Sequence, residues 1–276
     1  MSRILMINEL EKLKEYISPE NYSRLLTNRP VCLALKEGSF LISFHFLDLR
    51  NLTHKEARVV IFCGNDELVF ASNNKRCIEL ISDIDKKSDN YSLLLAFFSS
   101  LTANDVYEME KIEDRITDLE DSLLTDVKIR SDQSAIIINL RRELLRMKRY
   151  YEQLTLISEE LADNDNNAFS DEMQRRFISL DKRMDYLYNS VLHLREYITQ
   201  VREAYQAQID IEQNQIMKVF TVITSVFLPL TLIVGWYGMN LQMPEFGWKY
   251  GYPFVVVLSV IVCVFAILFF KKKKWI

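Results

Sequence analysis

Apolar residues spaced alternately three and four apart define the longest elements of this chain. The pattern runs over residues 109–123, returns over residues 137–161, and then extends unbroken from residue 173 to residue 205. This period predicts three amphipathic helices, and a seam as regular as the third needs a partner helix. Since residues 171–228 contain neither Pro nor Gly, we expect one helix over residues 171–237, on the order of 100 Å long.

The first hundred residues follow a different pattern. Short β-prone runs occupy residues 31–35, 40–47, 58–63 and 67–71, with turn signals at Gly38 and Gly64-Asn65, and helix-like stretches follow over residues 75–84 and 91–101. We therefore predict an α+β fold with a mixed α/β domain over residues 1–104. Long coiled-coil-like helices would fill residues 105–214, and a membrane domain residues 215–276.

Two apolar stretches close the chain, at residues 219–237 and 252–270. Roughly 20 apolar residues cross the hydrocarbon core of a bilayer as a helix, so both stretches predict membrane spans. The segment between them is too short to fold alone, so it carries at most a binding motif. That motif is Tyr237-Gly238-Met239-Asn240.

The distribution of charge indicates how the spans are oriented and which partners are excluded. The four lysines Lys271–Lys274 abut the second span and favour the cytoplasmic side, and the N-terminus has no signal-peptide pattern, so we expect both termini in the cytosol of a multi-pass cell-membrane protein. The formal charge is -4, yet residues 218–276 hold six lysines and one glutamate, which leaves -9 for the rest. An acidic soluble region argues against nucleic acid and is compatible with divalent cations or with simple solubility.

Acidic side chains form two candidate metal sites. Asp83, Asp85 and Asp89 make either a metal site or a solvated helix end and turn, and we favour the turn. The Asp-x-Asp-x-Asn run that begins at Asp163 resembles the opening of a calcium loop, but Ala168 stands where an EF-hand needs Gly and Gln174 where it needs Glu. We therefore expect a turn between two helices there as well.

One face of the first span is small and partly polar. Its members are Asn214, Met217, Thr221, Thr224, Leu228, Thr231, Gly235 and Gly238. Small residues and threonine let membrane helices pack closely, which is one interpretation of this stripe. The other is a pore lining, and because two spans enclose no aqueous path, it requires a symmetric ring of subunits. Pro229 removes a backbone donor and should bend the span.

Several motifs of the C-terminal part resemble the CorA magnesium transport proteins. They are the run at residues 214–219, Leu228-Pro229-Leu230-Thr231, Tyr237-Gly238-Met239-Asn240, Met243-Pro244-Glu245, Gly251-Tyr252-Pro253 and the terminal lysines with Trp275. The resemblance is ordered over the last sixty-odd residues and looser upstream, with an N-terminal domain shorter than is usual. It implies a homopentamer with a cytoplasmic funnel, whose pore is lined by the first span.

The resemblance also implies roles for individual residues. Asn240, assisted by the carbonyls of Gly238 and Met239, would select hydrated Mg²⁺ at the outer mouth, where Glu245 would attract cations. Deeper in, Thr231 would form a polar ring, Met217 and Leu228 hydrophobic constrictions, and Asn214 a polar ring at the inner end. Whether Thr221 or Phe220 faces the axis stays open.

The regulatory site and the transported ion each have several candidates. The family often carries a regulatory Asp on the long helix, where this chain has Ser179, so Asp181 and Asp185 are substitutes and Asp83, Asp85 and Asp89 candidates for the other half of a regulatory Mg²⁺ site. No nucleotide motif is present, and we do not expect an enzyme. We expect a channel for Mg²⁺, Co²⁺ or Ni²⁺. Its partners would be further copies of the same chain and the lipid bilayer. The alternatives are a zinc transporter of the ZntB type and a membrane-anchored coiled-coil scaffold or sensor.

Overall fold

A computed structural model describes residues 2–27, 29–35, 38–52, 55–84, 89–125, 131–239 and 247–275. The chain divides into two compact units, Met1–Arg202 and Glu203–Ile276. The first unit holds a mixed sheet, its covering helices and a set of long helices. The second holds two apolar helical segments. The predicted division at residues 104 and 214 stays a prediction.

Five strands form one mixed sheet in the first unit. They are β1 (Ser2–Leu5), β2 (Val31–Ala34), β3 (Phe40–Phe46), β4 (Ala57–Cys63) and β5 (Leu68–Ser72). Their order is β1-β5-β4-β3-β2, with β1 parallel to β5 and every other pair antiparallel. The four strands predicted from β-prone runs are confirmed to within one or two residues. The short edge strand β1 was not predicted.

Both faces of this sheet are covered, as the burial of all of β5 and of β4 from Val59 to Cys63 requires. On one face lie a 3-10 helix (Ile7–Glu15) and α1 (Pro19–Leu26), whose Leu13 and Leu25 are buried against β-strand side chains. On the other lie α2 (Lys75–Asp83) and α3 (Asn90–Leu101). The ring of Phe97 lies 5.1 Å from that of Phe70 on β5. The predicted helices at residues 75–84 and 91–101 are confirmed.

Three long helices follow the sheet: α4 (Asp105–Thr125), α5 (Ser131–Asp163) and α6 (Asp171–Tyr237). Polar contacts join them pairwise. Arg115 on α4 pairs with Glu143 on α5 at 2.8 Å, the Tyr197 hydroxyl on α6 donates to Glu120 on α4 at 2.6 Å, and Ser158 on α5 donates to Asp181 on α6 at 2.6 Å. The predicted single helix over residues 171–237 is confirmed.

The regular seam of α6 is buried inside its own chain. Its eight members from Phe177 to Val201 are all at most 5% exposed. The partner that this seam needs is therefore supplied by other elements of the same chain.

The turn between α5 and α6 explains the resemblance to a calcium loop. Asn164 and Asn167 have φ values of 51° and 50°, a left-handed conformation that Asn tolerates better than most residues. The Asn164 side chain accepts hydrogen bonds from the backbone N–H of Ala168 at 2.8 Å and of Phe169 at 3.3 Å. Its oxygen thus serves the turn, as we predicted.

The second unit contains the C-terminal part of α6 and α7 (Gly251–Lys272). Among the described residues, these are the two helices long and apolar enough to cross a membrane, judged by length and composition. They correspond to the two apolar stretches of the sequence. Phe270, near the end of α7, is buried and its ring lies 5.7 Å from that of Trp275.

Candidate pore-lining face of the first apolar helix

The small and partly polar stripe lies on a face of α6 that its own chain leaves uncovered. Its two large apolar members, Met217 and Leu228, are 61% and 63% exposed. The remaining members are exposed as well: Asn214, Thr221, Thr224, Thr231, Gly235 and Gly238. An open groove of about 810 Å³ runs along α6 between residues 223 and 239, and both stripe members and apolar residues outside the stripe line it.

Some residues off the stripe are more covered, whereas others, such as Leu232 and Val234, are as exposed as the stripe. Val222, Val226 and Ile233 are half-buried, whereas stripe members one or two positions away are exposed. One face of the apolar part of α6 is therefore packed within the second unit and the stripe is not. Phe220 and Thr221 are both exposed, so exposure does not choose between them.

Three threonine hydroxyls of the stripe donate to their own helix. Thr221, Thr224 and Thr231 each donate to the carbonyl four residues earlier, at 2.8, 2.8 and 2.9 Å. A hydroxyl whose proton is engaged in this way keeps its oxygen lone pairs as acceptors. The stripe therefore presents acceptor oxygens within an otherwise apolar surface.

Glycines give the stripe its shallow profile near the end of α6. A Cβ added at Gly235 would meet no atom within 4 Å, so packing within this chain does not require glycine there. A Cβ at Gly238 would lie 2.9 Å from the Val234 carbonyl oxygen, which also accepts the Gly238 N–H at 2.8 Å. Gly238 is thus fixed by close backbone approach at the helix end.

The predicted selectivity motif is described only in part. Met239 donates its N–H to the Trp236 carbonyl at 3.3 Å and continues the turn that closes α6. Asn240 and Glu245 lie outside the described residues. Pro229 lies inside α6 and cannot donate to the Ser225 carbonyl, while the helix continues past it; the predicted bend stays a prediction.

Two of the acidic regulatory candidates, Asp89 and Asp181, have local hydrogen-bonding roles. Asp89 caps α3, and although burial acts to raise its pKa, hydrogen bonds from Ser92 and from nearby backbone N–H groups together lower it. Asp83 ends α2, Asp181 accepts from Ser158, and Asp185 is exposed, as is Ser179. Asp85 lies outside the described residues. Within the described residues, no three His, Cys, Asp or Glu side chains are grouped so as to hold a metal ion.

Sequence reasoning missed a buried carboxyl group at the start of α4. Asp105 is 4% exposed and accepts a hydrogen bond from the Tyr151 hydroxyl at 2.6 Å. Burial raises the pKa of Asp105 to about 6, and the opposing effects of Tyr151, Arg76 and Arg183 are smaller. An acidic residue in the first turn of a helix is ordinarily solvated, so no local signal marked this one.

The chain is similar in sequence to known transport proteins. The family profile described as CorA-like Mg2+ transporter protein matches residues 5–272. A cobalt/magnesium transport protein CorA of Thermotoga maritima is 30% identical over 194 residues, which are 70% of this chain and 54% of that protein. A magnesium transport protein CorA of Wolinella succinogenes is 49% identical over 77 residues, 28% of this chain and 24% of that protein.

A solved structure of similar fold extends over nearly the whole chain. The CorA magnesium transporter from Methanocaldococcus jannaschii superposes with a TM-score of 0.76 and 23% identity, covering 98% of this chain and 88% of that one. The match to the Thermotoga protein spans about half of that relative's length. The profile match over residues 5–272, together with this fold, shows that the chain belongs to the CorA-like Mg²⁺ transporter family.

Proposed function

We propose that this chain is one subunit of a channel that passes Mg²⁺, and also Co²⁺ or Ni²⁺, across the cell membrane. The observation that carries the proposal is the exposed stripe of acceptor oxygens and small residues on α6, which runs to the Gly238-Met239-Asn240 motif. Two apolar helices enclose no aqueous path, so the stripe must face the axis of a ring of copies, which family membership suggests is a pentamer with a cytoplasmic funnel.

The chemistry of the stripe suits a hydrated cation. Mg²⁺ loses its water reluctantly, and water bound to it offers polarised O–H donors. The oxygens of Thr224 and Thr231, whose protons are bound to the helix, are matched acceptors. A ring of Asn240 amides, with the carbonyls of Gly238 and Met239, would bind the same shell at the outer mouth and serve as the selectivity filter.

Apolar members of the stripe supply the gate in this proposal. Met217 and Leu228 from each copy would form a narrow tube in which a hydrated ion finds no polar partner. Asn214 would form a polar ring at the inner end, and Glu245 would concentrate cations at the outer one. The driving force is the membrane potential, about 2.3 kcal/mol per elementary charge per 100 mV, which counts twice for a divalent ion.

Uptake into liposomes tests the transport proposal. The purified full chain should admit Mg²⁺ down an imposed potential, and Asn240→Ala should keep the oligomer and lose the flux. Asn189→Ala, which removes an exposed amide from α6 far from the motif, is the matched control and should conduct like the wild type. Preferred uptake of Zn²⁺ would favour the zinc-transporter alternative. If none of these ions is taken up, the result would favour the scaffold alternative. Wild-type flux in Asn240→Ala would reject the hydrated-ion filter.

Orientation is a separate part of the proposal, in which both termini face the cytosol. A cysteine placed at Gln242 should react with an impermeant thiol reagent added to intact cells, and one appended after Trp275 should not. The wild-type chain, with Cys32, Cys63, Cys77 and Cys263, gives the background. The reverse labelling pattern would overturn this orientation.

We also propose that cytosolic Mg²⁺ regulates the channel weakly, through carboxylates near Ser179 at a contact between copies. Asp181 and Asp185 are the candidates on α6, and Asp83, Asp85 and Asp89 those on the opposing side. Ser179→Asp should strengthen inhibition by Mg²⁺, whereas Asn189→Asp, which adds the same charge further along α6, should not. Strong wild-type inhibition that is lost in Asp181→Ala would instead identify Asp181 as the regulatory ligand.

A further inference from the structure

A basic cavity lies between α5 and α6 in the first unit, away from the stripe. Its volume is about 280 Å³, and two arginines of α5, Arg141 and Arg142, face Arg195 of α6 across it. Thr199 lines the same cavity, together with the apolar side chains of Leu145 and Ile198. Arg141 and Arg142 are exposed and Arg195 is half-buried, so the guanidinium groups remain within reach of a solute.

Within the described part of the chain, these three arginines have no acidic partner. Other arginines nearby do: Arg115 on α4 pairs with Glu143 on α5 at 2.8 Å, and Arg146 on α5 pairs with Glu56 at 3.3 Å. Arg115, Glu143 and Arg146 line an adjacent cavity that Arg142 also lines. Carboxylates are therefore available nearby, and the cavity itself is left with three uncompensated positive charges in a soluble region of net negative charge.

We propose that this cavity binds the diphosphate group of a small anion. Each guanidinium offers five N–H donors in a planar fork that fits two phosphate oxygens, and arginine is favoured wherever phosphate is recognised in this way. Phosphoryl groups carry roughly -1.5 to -2 each near neutral pH, so two of them balance three arginines. The volume lies near the lower limit of ligand pockets, which fits a small group.

The cavity has a polar part and an apolar part, which would contact different parts of a ligand. Thr199 donates its hydroxyl to the Arg195 carbonyl at 2.8 Å, so the phosphate oxygens are left to the guanidinium groups. Leu145 and Ile198 suit an organic substituent, and the arginines suit the diphosphate itself. Free pyrophosphate and a nucleoside diphosphate share this chemistry. The cavity lies away from the stripe, so an experiment can reject this binding site without rejecting the transport proposal, and the reverse.

Calorimetric titration of the purified full chain tests the site. The probes are pyrophosphate, ADP, AMP and inorganic phosphate, in EDTA and at physiological salt so that neither metal complexes nor diffuse attraction contributes. We expect saturable pyrophosphate binding at one site per chain. The double variant Arg141→Gln/Arg142→Gln should weaken it at least tenfold. ADP binding tenfold tighter than pyrophosphate would identify an organic diphosphate, and equal binding would identify the diphosphate group alone.

A matched control separates the cavity from general positive charge. Arg149→Gln removes the same charge from an exposed position of α5 outside the cavity, and should bind pyrophosphate within twofold of the wild type. Arg195→Lys keeps the charge but loses the fork, and should weaken binding partially. The proposal would be overturned if no probe bound saturably, or if Arg149→Gln lost as much pyrophosphate affinity as the double variant. It would also be overturned if AMP or phosphate bound as tightly as ADP. Arginine variants that dissociate the oligomer, while the wild type binds no probe, would overturn it as well.

Discussion

The two halves of α6 obey the same spacing and have opposite surroundings. From Phe177 to Val201, residues spaced three and four apart are at most 5% exposed, covered by other elements of their own chain. From Asn214 to Gly238, residues with the same spacing are exposed, and Met217 and Leu228 are more than 60% exposed. A hydrophobic period therefore shows which face of a helix needs a partner, and composition is needed to show which partner.

Composition differs between the halves in the way that their partners require. The buried half contains Leu, Ile, Val, Met and Phe, which interdigitate with a fixed neighbour. The exposed half mixes threonine and glycine with isolated large apolar residues, which fill no core within this chain. We infer that the first half stabilises the subunit, whereas the second acts only when copies assemble.

The largest effect should come from a truncation in the buried half. Phe177 is fully buried, and its ring stacks on that of Phe169 at 4.8 Å. Phe177→Ala should lower the apparent free energy of unfolding by about 3–5 kcal/mol, because it leaves a cavity in a packed bundle. Thermal unfolding of the full chain in detergent measures it. Tyr186→Ala is the matched control, since Tyr186 lies on the same helix and is 60% exposed. Equal losses in the two variants would contradict the contrast.

The sequence predicts the helices well because their signal is local. The unbroken period and the absence of Pro and Gly over residues 171–228 predicted α6, its far end followed from the apolar stretch that closes at residue 237, and Gly38 with Gly64-Asn65 marked turns between the strands. The parallel edge strand β1 was missed, because its pairing with β5 joins residues 2–5 to residues 68–71, a contact that no local pattern records.

Candidate sites follow the same rule. The stripe was predictable because its members share one helix face. The buried Asp105 and the cavity of Arg141, Arg142 and Arg195 were not, because each depends on side chains that separate helices bring together. A cluster of that kind has no spacing in the sequence.

The next effect concerns a polar group in the packed region. Tyr151 donates to the Asp105 carboxyl, which is also near Arg76, Arg183 and Asp48. Since burial raises the pKa of Asp105 from 3.8 to about 6, the folded state binds its proton more tightly than the unfolded state does. The resulting stabilisation is complete below pH of about 4 and is lost as the pH rises through about 6.

Asp105→Asn should remove that dependence. We expect the difference in unfolding free energy between the wild type and Asp105→Asn to change by on the order of 1–3 kcal/mol between pH 4 and pH 7. Denaturant unfolding at a series of pH values measures it. Asp185→Asn, at an exposed position of α6, should leave the profile of the wild type unchanged. An Asp105→Asn profile parallel to that of the wild type would show that this carboxyl does not titrate in the window.

A smaller effect should come from polar substitutions in the exposed half. Met217→Ser or Leu228→Ser would widen and wet the apolar tube of the proposed gate, and each should raise resting conductance about tenfold, which corresponds to about 1.4 kcal/mol. Ile233→Val, on the half-buried face, should not leak. Liposome flux under high internal Mg²⁺ measures the difference. Serine variants that form oligomers and stay as tightly closed as the wild type would place the gate elsewhere.

The smallest effect distinguishes the two interpretations of the stripe. An added Cβ at Gly235 meets no atom of its own chain within 4 Å, so Gly235→Ala should not disturb the subunit, and Ala favours the helix by roughly 0.5–1 kcal/mol. If the stripe lines a wide part of the pore, the oligomer should persist and flux should fall less than twofold. If it is a close-packing face, the methyl group should separate the helices and weaken the oligomer, as detergent-phase cross-linking would show. An intact oligomer with near-normal flux would favour the pore, and loss of the oligomer would reject it.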